Sequence, residues 1–140
     1  MYNPSRDQVR QFFFDAWTKH RNATPLAGLE VTAVDVMLAH PEYREALEAP
    51  QSHRDRDYTP EQGQANPFLH LSLHLAIEEQ LSIDQPRGIR AEFERIAAKL
   101  GDRHAAAHEA MDCLGQTVWR GQRDGARPDA LAYLECLRKR

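Results

Sequence analysis

Apolar residues recur every three or four positions through most of this chain and almost nowhere alternate, so helix is the pattern it predicts. Val9, Phe12, Phe13, Ala16 and Trp17 share one helical stripe, with Ser5 and Gln8 spaced as a capping box before it. A second helical pattern covers about Leu29 to Ala39. It stops at His40-Pro41, because the residue before a proline resists the α region. "PEYREALEA" predicts a short helix with Pro41 in its first turn. The stretch from about 50 to 66, "PQSHRDRDYTPEQGQAN", is polar, has no helical period, and reads as a long loop.

Asn66-Pro67 is a helix start, a capping side chain followed by proline at the first position, and the helix it opens runs to about Ser82. Asp84 to Gly88 makes a turn. The next helix ends at Leu100 with Gly101 behind it, and Asp102 caps another that runs to about Gly121. Pro128 or Asp129 opens the last. The whole predicts an all-α, single-domain helical bundle of five to seven helices over residues 1–140. Short connections make its last four helices run up, down, up, down.

Two of those helices carry the same unusual triplet. His70, His74 and Glu78 repeat the spacing of His104, His108 and Asp112: histidine, three residues, histidine, three residues, acid. On a helical wheel the histidines fall on an apolar stripe, with Ile77 and Leu81 in the first helix and Met111 and Val118 in the second. With 7 histidines and 21 acids in 140 residues, random placement gives only about 0.05 copies of the triplet per chain. Both pairs sit near a helix N-terminus, whose partial positive charge disfavours imidazolium and keeps the ring neutral, as a metal ligand must be. In an up-down bundle the two helices run parallel and face each other, with Glu94 and Glu135 coming to the same end. The expected centre is therefore a transition metal held by His70, His74, His104 and His108, with Glu78 and Asp112 completing or orienting it. Imidazole suits iron, zinc, copper, nickel or manganese. Four histidines fit one ion; the added carboxylates would allow two. The competing reading is a protein-interaction module with a buried histidine–carboxylate network and no metal. Whether the chain is an enzyme is left open. If the centre is catalytic, activation of bound water or dioxygen is the chemistry it offers.

The remaining candidates have structural readings. His20 faces the carbonyl end of the first helix. His40 and Glu42 flank a proline turn, where capping is the default reading and reaching the histidine centre the alternative. His53, Asp55, Asp57 and Tyr58 belong to the polar loop and are expected to be solvated, with a lid over the histidines as the sharper alternative. Trp17, Trp119 and Phe12 to Phe14 read as core, although three consecutive phenylalanines cannot all face one way and one is left for a protein partner or a second copy of the chain.

Composition narrows the class. Hydrophobic residues make up 41% and charged residues 28%, as in an ordinary globular protein. No apolar run approaches a membrane span, the first residues lack a signal peptide's apolar region, and the expectation is a cytoplasmic protein without a membrane partner. Two cysteines, Cys113 and Cys136, do not make a disulfide framework, which agrees with a reducing compartment. Cys113 points away from the histidine stripe. A net charge of -3 argues against general nucleic-acid binding. The arginines from Arg120 onward are a weak exception, with "CLRKR" read as complementing a helix dipole.

"NPSRDQVRQFFFDAW", "AHPEY", "DRDYTPEQGQANPFLHLSLHLAIEEQ" and "MDCLGQTVW" together resemble the bacterial family catalogued as domain of unknown function 1841, over essentially the whole chain. The resemblance implies a small, largely helical bacterial protein and supplies no catalytic residues. A looser similarity, of fold class alone, is to the hemerythrin-like and DinB-like helical bundles. Those also hold metals with histidines on bundle helices, in a different order and acid spacing.

Overall fold

The computed structural model describes residues 5–58 and 66–140. Among the described residues every regular element is helical: α1 (Arg6–Arg21), α2 (Leu29–Leu38), a 3-10 turn (Pro41–Tyr43), α3 (Arg44–Glu48), α4 (Pro50–His53), α5 (Pro67–Ile83), α6 (Ile89–Leu100), α7 (Arg103–Asp124) and α8 (Ala130–Arg138). The all-α class is as expected. The helices outnumber the expected five to seven because the segment from Pro41 to His53 breaks into three short pieces, two of them opening at a proline, which lacks a backbone donor. The chain divides into two compact units, residues 1–75 and 76–140, and the division falls inside α5.

In the first unit Ser5 and Gln8 form the reciprocal capping box that starts α1. The core sets Phe13, Phe14, Ala16 and Trp17 of α1 against Ala33, Val34, Val36 and Met37 of α2, with Leu47, Phe68, Leu71 and Leu75. Phe14 and Phe68 meet edge to face at 5.3 Å. Phe12, the member of the three-phenylalanine run that cannot follow its neighbours inward, is only partly buried. The buried surprise of α1 is Arg10. Its Nη1 donates to the backbone carbonyls of His53, Arg54 and Arg56 at 3.1, 3.0 and 2.8 Å. Its guanidinium also lies over the rings of Tyr58 and Phe68. The start of the predicted loop is thus pinned to α1 through its backbone; His53 is buried and Tyr58 partly so, while Asp55 and Asp57 are exposed as expected. Residues 59–65 lie outside the described residues.

Asn66 Oδ1 accepts from the amides of Phe68 and Leu69, which is the cap the sequence predicted for α5. In the second unit Asp84 Oδ1 reaches over the turn to accept from the amides of Gly88 and Arg90, starting α6. Gly101, at φ 70°, ends α6, and Asp102 caps α7. Helices α6, α7 and α8 pack on one another in every pairing, so α6 and α8 are neighbours rather than opposite corners of a square.

Three expectations are corrected here. Helix α7 passes Gly121 and ends at Asp124, with Gly125 at φ 64° behind it. Gly121 serves contact instead: a Cβ there would meet Ala126 O at 3.0 Å. Trp119 is 59% exposed, not core, and carries the Arg123 guanidinium on its ring at 4.9 Å. The two cysteines are joined in a disulfide between the buried middle of α7 and the partly exposed face of α8. Cys113 does point away from the histidines, because it points at α8, and the cysteines no longer argue for a reducing compartment.

Candidate metal centre

The first unit gathers three imidazoles. His70 and His74, one turn apart on α5, have ring centroids 4.8 Å apart. His40, from the turn after α2, approaches them to 4.9 and 4.5 Å. His40 is 2% exposed, and Tyr43 stacks on its ring at 5.4 Å and 10°. From the sequence His40 reads first as a turn residue and only as an alternative as part of the centre. Proline at 41 ends α2 there and swings the ring back over its own helix, where Nδ1 lies 2.8 Å from Val36 O. A carbonyl only accepts, so Nδ1 carries the proton, and in neutral His40 the lone pair is on Nε2. That Nε2 lies 3.2 Å from His70 Nε2.

The second unit supplies His104 and His108, one turn apart near the start of α7, with centroids 4.3 Å apart. Each unit thus brings the histidine pair of its own triplet together, and in the first unit His40, a residue outside the pattern, joins the pair.

The acids of the triplets are engaged elsewhere. Both oxygens of Glu78 accept from the Arg103 guanidinium, at 2.8 and 2.9 Å, and that pair holds the start of α7 to α5. The hydrogen bond to Glu78 raises Arg103 above the ordinary arginine value. Asp112 accepts from Arg140 and from Gln116. Glu94 and Glu135 are exposed, and Glu135 pairs with Arg138. The expectation that Glu78 and Asp112 complete the centre meets this physical obstacle: each carboxylate is already neutralised by an arginine.

A second polar cluster in the first unit was invisible as a motif. His53 Nδ1 hydrogen-bonds the Tyr58 hydroxyl, and both rings line an open cleft of about 300 Å³ with Glu42, Tyr43, Glu45 and Arg56. Burial, then the Arg56 charge, pushes His53 below the ordinary histidine range. Burial pushes Tyr58 and Tyr43 up. Only the buried arginine that organises this corner, Arg10 in "RDQVRQFFF", could have hinted at it, as a cation sitting on an otherwise apolar helical face.

No helix among the described residues is long and apolar enough to cross a membrane. No curated protein and no solved structure matches this chain. The family model described as domain of unknown function DUF1841 matches residues 5–139, so nearly the whole chain is accounted for, and the protein belongs to that family.

Proposed function

We propose that this protein binds a transition-metal ion through its histidines, with His40, His70 and His74 of the first unit and His104 and His108 of the second as the candidate ligands. The observation that carries the reading is the grouping of three imidazoles within the first unit, His40, His70 and His74, whose ring centroids lie 4.5 to 4.9 Å apart. Neutral imidazole is the ligand such ions take, and His40 holds the needed tautomer through its bond to Val36 O. The His40–His70 separation of 3.2 Å is near the ~3.3 Å between two nitrogens bound to one tetrahedral ion at ~2.0–2.1 Å. His70 therefore stays within the candidate ligand set of the original triplet pair. Glu78 and Asp112 act through their arginines, holding α7 in place, rather than on the ion. The same pairing weakens the rival histidine–carboxylate network, since that network needs those acids.

The test is elemental mass spectrometry of tag-free protein purified without chelator, followed by cobalt(II) titration read by its visible absorption. Stoichiometric metal that is lost in the His74→Ala, His108→Ala double variant is the expected result. A wild-type protein that is empty and takes up neither cobalt nor zinc would overturn it, as would full retention by the double variant.

A further inference from the structure

We propose that the Cys113–Cys136 disulfide is a thiol-exchange site, selective for small thiols that carry carboxylates and opening by attack at Cys136. Its two sulfurs are unequal. Cys113 is fully buried in α7, whereas Cys136 is partly exposed on α8 and lines a cleft of about 360 Å³. An incoming thiolate therefore reaches Cys136 only. The cleft is richer in cations than in acids: Arg120, Lys139 and Arg140 line it with Cys136, together with Glu135, which is paired to Arg138. Arg140 Nη2 stands 3.9 Å from Cys136 Sγ while its other contacts hold Glu109 and Asp112. Among the described residues, neither Arg120 nor Lys139 has an ion-pair partner. These two cations raise the local concentration of an anionic thiol and favour its thiolate, the attacking form.

The exchange balances without a further reagent. The thiolate forms a bond to Cys136 Sγ, the Cys113–Cys136 bond breaks, and its electron pair leaves on Cys113 Sγ, which takes up one proton from water. A second thiolate then attacks the sulfur of the bound thiol and expels Cys136 as a thiolate beside Arg140. Two thiols are oxidised to their disulfide, and the protein disulfide is reduced to two thiols. The bond joins the middle of α7 to α8, so exchange also removes the covalent tie between these helices.

The full oxidised chain is treated with mercaptosuccinate or 2-mercaptoethanol, each rate being normalised to that thiol's rate with a small-molecule disulfide. Products are trapped by alkylation and read by intact mass and peptide mapping. The expected result is an adduct on Cys136, with an anionic-over-neutral preference of about tenfold at low salt that collapses at high salt. The Arg120→Ala, Lys139→Ala double variant should lose the preference while keeping its reaction with the neutral thiol, which shows that its disulfide is still presented. Cys113→Ser leaves Cys136 unpaired; given the oxidised form of mercaptosuccinate it should form the mixed disulfide, releasing one mercaptosuccinate thiol, and keep the adduct until excess thiol is added, because no second protein cysteine is there to expel it. An adduct on Cys113, equal normalised rates for the two thiols, or a disulfide inert to both would overturn the proposal.

Discussion

His40 Nε2 and His70 Nε2 face each other across 3.2 Å, although the two residues come from a proline turn and from a helix thirty positions later. Since His40 gives its Nδ1 proton to Val36 O, neutral His40 accepts here and His70 donates. An ion at this place would take up that lone pair and displace a proton.

His40→Ala should therefore weaken cobalt or zinc binding by more than the ~10–100-fold typical of losing an outer partner of a metal ligand. The wild-type protein should release protons as metal is added, because a ligand nitrogen binds the ion only in its deprotonated form. Isothermal titration in buffers of different ionisation enthalpy measures both quantities. Unchanged affinity in the variant would remove His40 from the centre.

The helices of this protein are legible in its sequence because their ends are local chemistry. Ser5 with Gln8, Asn66, Asp102 and Asp129 each cap the helix that the pattern places after them. The histidines are legible as a pair of spacings, and in each triplet the two rings do lie together one helical turn apart. His40 was not, since nothing in "LAHPEY" says that a ring after a proline-stopped helix folds back onto Val36. Nor were the partners of Glu78 and Asp112: the wheel places a carboxylate on a helix edge but does not choose between an imidazole and an arginine. Arg103 and Arg140 take them through contacts 25 and 28 residues apart.

Arg10 closes the polar segment that follows α4, and its loss should be felt far beyond α1. Its single Nη1 serves three carbonyls and its plane covers two aromatic rings. Burial lowers its affinity for the proton, yet arginine remains charged, so the contacts are charge-assisted. Arg10→Met should cost about 2–3 kcal/mol in urea unfolding. Arg10→Lys should recover only part of it, since an ammonium has N–H donors for the carbonyls but no plane to cover the two rings. Limited proteolysis should cut the variant near residues 54–58 first. A loss below about 0.5 kcal/mol would mean that the carbonyls find other donors.

His53 gives the first unit an acid-sensitive corner. Its folded pKa lies below the ordinary 6.5, chiefly through burial and then through the Arg56 charge, so the fold holds it neutral. The unfolded chain takes up a proton near pH 6.5 that the folded chain refuses. This contribution to stability is therefore fully present above that pH, declines as the pH falls through it, and is gone below the folded pKa. His53→Gln cannot titrate and should show a shallower fall of unfolding free energy between pH 7.5 and 5, measured with chelator present. Parallel curves for the two proteins would show that His53 is not held neutral.

Two glycines of α7 should respond in opposite directions to the same substitution. Glycine in a helix costs about 1 kcal/mol relative to alanine, because it gives up more backbone freedom on folding. A Cβ at Gly115 would meet nothing within 4 Å, so Gly115→Ala should stabilise by about 0.5–1 kcal/mol. At Gly121 the same Cβ would stand 3.0 Å from Ala126 O, 3.2 Å from Pro128 N and 3.3 Å from Arg127 C. All three are main-chain atoms, and the Ala126 amide is itself tied to Gly121 O at 2.8 Å, so the turn cannot swing aside as a side chain would. Gly121→Ala should therefore lose about 1–3 kcal/mol despite the better helix propensity. Thermal unfolding of the two variants side by side decides it. A stabilised Gly121→Ala would mean that the 126–128 turn yields to the helix rather than packing on it.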